Sequence, residues 1–156
     1  MRMKLKLLAL TASAGGLAAL LPVQQAAAQP AANACGVSLR AEADADSFEI
    51  MGGPEGAARD RAVQQTAASF ATVATRLCAS RVMTAANLRP YSRLLLRSAA
   101  AATEPNVYDD AEEARGALIL EFAFENAVPT AAQIEHGLRC WRNPQGQGCA
   151  VEDIGP

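Results

Sequence analysis

Hydrophobic and polar positions change period several times along this chain. Over residues 37–44 they alternate, with Val37, Leu39, Ala41 and Ala43 on one side and Ser38, Arg40, Glu42 and Asp44 on the other. A period of two predicts a strand or extended arm with one buried face. The Gly/Pro-rich stretch "MGGPEG" at 51–56 is a turn-forming break. From Ala57 to Met83 the period becomes helical. Val63, Phe70 and Leu77 recur seven apart, and Ala67, Val73 and Ala74 fill the same stripe.

Thr84 is placed to cap a second helical segment, "AANLRPYSRLLLRSAAAA". Pro90 divides it into a short helix ending near Leu88 and a longer one, since proline suits a first turn. Leu88, Tyr91, Leu95 and Ala99 then form its apolar face. "TEPNVYDD" reads as a loop, with Asp109 or Asp110 capping the next element and Glu112 and Glu113 in its first turn, where a helix dipole favours acids. Residues 117–125 carry two signals. Leu118, Leu120, Phe122 and Phe124 alternate with Ile119, Glu121, Ala123 and Glu125 as in a strand, whereas the acidic cap favours a helix, the reading adopted. Thr130 with Gln133 forms a capping box for the last helix, striped by Ala131, Ile134, Leu138 and Trp141. The pattern as a whole predicts a mainly α fold: a small bundle of about four helices with an extended N-terminal arm, stapled by disulfides.

The start of the chain adds a destination. Arg2, Lys4 and Lys6 precede an apolar run from Leu7 to Leu21 broken by Gly15 and Gly16; Pro22 closes it, and Ala26–Ala28 are small. This is the layout of a secretory signal peptide over residues 1–28. The run falls short of the about 20 apolar residues that a spanning helix needs, so export to the periplasm or exterior is expected, without stable membrane insertion. Residues 29–34 read as a flexible tail and 35–156 as a single domain, a length that suits one core. Beyond Ala28 every basic side chain is an arginine, eleven against sixteen acids. A net charge near −5 there favours solubility and argues against nucleic acid as a partner.

Four cysteines fit export, because an oxidising compartment keeps disulfides. Cys35, Cys78, Cys140 and Cys149 include no C-x-x-C pair and the chain has one histidine, so metal binding is not expected, nor any other cofactor. "NPQG" inside "CWRNPQGQGC" places Pro144 and Gly146 where a tight turn needs them. The expected pairs are therefore Cys140–Cys149 and Cys35–Cys78. The acids of "ADAD" at 43–46 lack the glycine and closing glutamate of a calcium loop.

Motifs for catalysis are sparse. His136 lies off the last helical stripe and reads as a surface residue; Glu135 beside it points about 100° away on a helix. No serine stands in a nucleophile-elbow setting. Asp109, Asp110, Glu112 and Glu113 with His136 define an alternative reading, a small carboxylate-dependent hydrolase of an envelope polymer. The preferred reading is binding of another envelope or secreted protein, as an inhibitor, immunity-type protein or accessory subunit. Arg89, Arg93 and Arg97 recur every fourth residue and would line one face of a helix, a candidate binding face for lipid headgroups, lipopolysaccharide or an acidic partner. Residues 59–97 are strongly basic and 104–135 strongly acidic, so these halves are expected to lie side by side. Trp141 and Arg142, the sole tryptophan and its neighbour, stand at the edge of the C-terminal ring as a second candidate binding element.

Overall fold

The computed structural model describes residues 30–149; the expected signal segment lies outside the described residues. The alternating stretch forms a strand, and four others join it. The elements in order are β1 (Ala31–Ala34), β2 (Val37–Ala43), α1 (Ala45–Ile50), α2 (Gly56–Ala79), α3 (Ala85–Leu88), β3 (Arg93–Ser98), β4 (Asn106–Asp109), β5 (Ala117–Phe122) and α4 (Ala131–Arg142). The strands form one mixed sheet in the order β1-β2-β3-β5-β4. β2, β3 and β5 run parallel, and β1 and β4 are antiparallel edges. The expectation of a mainly α bundle is overturned: this is a sheet with its two long helices on one face.

Local chemistry explains several junctions. Ala34 pairs with Val37, so Cys35 and Gly36 alone make the hairpin loop, both with positive φ (54° and 76°). A two-residue loop of this kind requires left-handed backbone at both positions. Glycine adopts it freely; Cys35 packs against the core there and is bonded to Cys78, whose Cα is 5.9 Å away at the end of α2. β2 and β3 are parallel, so the chain must cross over between them, and α2 is the long element of that crossover. Its buried residues include Val63, Ala67, Phe70, Val73, Ala74 and Leu77, the stripe expected from the sequence. At α4, Gln133 N–H donates to Thr130 Oγ1 (3.3 Å) and Thr130 N–H to Gln133 Oε1 (2.9 Å), the expected capping box.

The main core lies between sheet and helices. Leu39 and Ala41 of β2, Leu94 and Leu96 of β3, and Leu118, Leu120 and Phe122 of β5 meet Phe70, Val73 and Leu77 of α2 and Ile134 and Leu138 of α4. A Cβ on Gly137 would come within 2.7 Å of the Pro105 carbonyl oxygen, so a residue without a side chain lets α4 seat against the entry to β4. A second, smaller cluster of Leu95, Ala114, Ala117 and Ile119 occupies the other face of the sheet.

The corrections share a cause. "RLLLRS" was expected on a helix, yet Leu94, Leu95 and Leu96 are all buried because the central strand is covered on both faces. A strand of that kind is apolar without alternation and resembles a buried helical turn. The same holds for "ALILEF", expected as helix and found as strand, whose first four residues are all buried. Residues 106–109, read as a loop, pair with β5. The supposed tail contains β1, in which Ala32 and Ala34 are buried. Alanine carries little hydrophobic signal, and neighbouring elements supply the rest of that contact. The short helix α1 was not anticipated; Asp44 caps it, its carboxylate accepting from Ser47 N–H.

Candidate functional site

Two surfaces carry the side chains singled out in the sequence. The first is the face of the sheet away from the helices. Glu42, Leu95, Ile119 and Tyr108 form one cross-strand row there through the register of β2, β3, β5 and β4. Arg93 and Arg97 flank Leu95 at period two, the spacing that puts alternate strand residues on one side. Arg93 Nη1 lies 2.8 Å from Glu42 Oε1, and Arg40 Nη2 lies 3.0 Å from the other oxygen of that carboxylate. Arg97 Nε donates to Asp44 Oδ2 at 3.0 Å and its Nη1 to the Tyr108 hydroxyl at 3.2 Å. That hydroxyl in turn donates to Glu121 Oε2 at 3.0 Å. Burial pushes the Tyr108 phenol above its ordinary range, the hydrogen bond to Glu121 adds to this, and Arg97 opposes it.

The connection between β4 and β5 folds over the same face. The Asp110 carboxylate accepts from the backbone N–H groups of Glu113 and Glu112, which holds it below the usual carboxylate range. That turn sets Ala114 over Leu95 and Ile119 and brings Glu113 within 3.6 Å of Arg97. The basic and acidic halves therefore do meet at Arg97, and again where Arg76 of α2 pairs with Glu135 of α4. Much of the lattice, however, comes from Glu42 and Asp44, which the charge count had left aside. Arg89 is separate: exposed at the end of α3, it makes no ion pair among the described residues. The expected Arg89/Arg93/Arg97 face thus divides, because β3 begins after Arg89.

The second surface is the C-terminal ring. Cys140 in the last turn of α4 is bonded to Cys149. Between them Gly146 N–H donates to the Asn143 carbonyl (2.8 Å) and Cys149 N–H to the Gly146 carbonyl (3.0 Å), two successive turns. Trp141 is half-buried against the main core, its ring centroid 6.1 Å from that of Tyr91 at a tilt of 59°. The exposed Arg142 guanidinium carbon stands 5.4 Å over the Trp141 ring, within cation–π range. Burial raises the Tyr91 phenol, and neighbouring Asp109 raises it further. A shallow cleft of about 340 Å³ opens beside the ring, lined by Val82, Arg139, Arg142, Asn143, Gln147 and Cys149 among others.

His136 lies partly buried beside this ring: its Nε2 is 3.6 Å from Cys140 Sγ. The spacing of four on one helix was the signal for that contact. None of its hydrogen bonds involves Asp109, Asp110, Glu112 or Glu113, the acids grouped with it in the sequence. Among the described residues no helix is long and apolar enough to cross a membrane. No protein family matches the chain, and comparison with characterised proteins and with solved structures finds no match.

Proposed function

We propose that this is an exported protein, periplasmic or secreted, that acts by binding another envelope or secreted protein through its C-terminal ring. The two disulfides fit an oxidising compartment. One observation carries the reading: Arg142 is exposed, stacked over Trp141 and anchored in a loop closed by a covalent bond. Pre-organised arginine and aromatic side chains lose little freedom on association, which is why such residues dominate interfaces. Arg93 and Arg97, by contrast, are engaged with acids of the same molecule and offer a partner little uncompensated charge. Arg142 lines the cleft without an ion pair among the described residues, which favours a partner segment bearing carboxylates.

Site-specific crosslinking tests this. A photoreactive residue at Gln147 should capture a defined protein from the native envelope or secreted fraction, and the same residue at Arg40 should not. Arg142→Glu should remove the capture while leaving the melting temperature within a degree or two. Undiminished capture by the Arg142→Glu protein would refute the ring as the contact surface.

A further inference from the structure

The two sulfurs of the C-terminal disulfide sit in different surroundings. Both cysteines are partly buried, but only Cys149 borders the cleft that also holds Arg139 and Arg142. Cys140 Sγ is partly buried on the helix side, 3.6 Å from His136 Nε2. The backbone of the ring closes over the same imidazole, with a Cβ position on Gly148 3.5 Å from His136 Cε1. We infer that Cys140–Cys149 is a thiol–disulfide exchange centre that accepts a carboxylate-bearing thiol through the cleft beside Arg142.

Exchange begins when a thiolate attacks one sulfur of a disulfide in line with the bond and expels the other. The external thiolate reaches Cys149 from the cleft. A bond forms between its sulfur and Cys149 Sγ, the Cys149–Cys140 bond breaks, and the electron pair leaves on Cys140 as a thiolate. That group sits in the last turn of α4, where the helix dipole disfavours negative charge. His136 offsets this by donating its Nε2 proton, or a hydrogen bond, to the departing sulfur. A second equivalent of the external thiol then attacks its own sulfur in the mixed disulfide. Cys149 leaves as a thiolate and the external thiol leaves as its symmetric disulfide. Two electrons have passed from two external thiols to the protein, and the reverse sequence returns them.

Nothing comparable surrounds Cys35–Cys78. Both of its cysteines pack against the main core, and its loop is one edge of the sheet. The centre shares the ring with the binding surface proposed above but does not depend on it, because exchange is measured on the purified protein alone.

The test is reduction kinetics with acid quenching, alkylation and peptide mapping. Glutathione, which carries two carboxylates, should reduce Cys140–Cys149 at least about 100-fold faster than Cys35–Cys78. In the trapped intermediate the glutathione should be on Cys149 and the alkyl group on Cys140. At equal thiolate concentration, glutathione should outpace the cationic thiol cysteamine, and R142Q should erase that preference. A cysteine peptide flanked by glutamates, run in parallel, separates a macromolecular thiol donor from a small one by its relative rate. His136→Asn should slow reduction of the ring disulfide by about 10-fold and leave the Cys35–Cys78 rate unchanged, which a merely unfolded variant would not do. Glutathione trapped on Cys140, equal rates at the two disulfides, or an indifferent His136→Asn would each overturn the proposal.

Discussion

The chain has two staples of different character. Cys35–Cys78 joins positions 43 apart, tying the β1–β2 hairpin to the end of α2, and both ends are held by packing without it. Cys140–Cys149 spans 9 positions and closes a ring in which Arg142, Asn143, Pro144 and Gln145 are all exposed. A crosslink stabilises a fold by removing freedom from the unfolded chain, and only in so far as the folded chain had already given up that freedom. The first bond meets this condition. The second mostly does not, because a ring without it frays in the folded protein as well. A bond that contributes little to stability can still hold a surface in one shape.

The sharpest way to break this comparison is to remove each staple. Replacing both Cys35 and Cys78 by alanine should cost about 4 kcal/mol of unfolding free energy, by the chain-entropy relation, read from urea denaturation. A loss no larger than that for the C-terminal pair would remove the distinction. What holds the ring's base should instead be packing. Trp141→Ala should cost about 3 kcal/mol, the lower end for a truncated aromatic because the side chain is only half-buried. Gly137→Ala should cost about 2 kcal/mol by driving a methyl group against the Pro105 carbonyl, seen as a lowered melting temperature with the β4–β5 amides exchanging faster. Cys140→Ala/Cys149→Ala should then cost less than about 1 kcal/mol, although the same entropy relation allows about 2.7 for a ring of this length.

A smaller effect separates helix docking from the staples. Arg139, with help from Arg76, holds the Glu135 carboxylate below its usual range, and these contacts tie α4 to itself and to α2. A depressed folded-state value means that the stabilisation is present above the unfolded value near 4.3 and is lost as the pH falls through the folded one. Glu135→Gln should lower the melting temperature slightly at pH 6 and by less at pH 3. An equal effect at both pH values would assign Glu135 a packing role in place of the ion pairs.

Legibility followed the range of the interactions. The α2 stripe, the α4 capping box, the alternation of β2 and the turn inside the ring depend on residues a few positions apart, so the periodicity read over 57–83, which ran past the helix end at Ala79, and the Thr130/Gln133 pair were enough to place them. The site was legible only in part. Trp141 and Arg142 stand where their neighbourhood suggested, but Tyr91 meets Trp141 from 50 positions away. Glu42, Tyr108 and Glu121 joined Arg93 and Arg97 through register, and Asp44 through its place as the cap of α1.

By itself, then, the order of residues determined helix stripes, caps, turns and a cysteine set suited to an oxidising compartment, since each is settled within a few turns of chain. Tertiary structure decided that "RLLLRS" and "ALILEF" are strands. A short apolar run satisfies a helix or a doubly covered strand equally well, and only pairing with β2 and β4 supplied the hydrogen bonds that chose. It also decided that four alanine-rich residues at the start form an edge strand. Small side chains become core only when α2 is there to cover them.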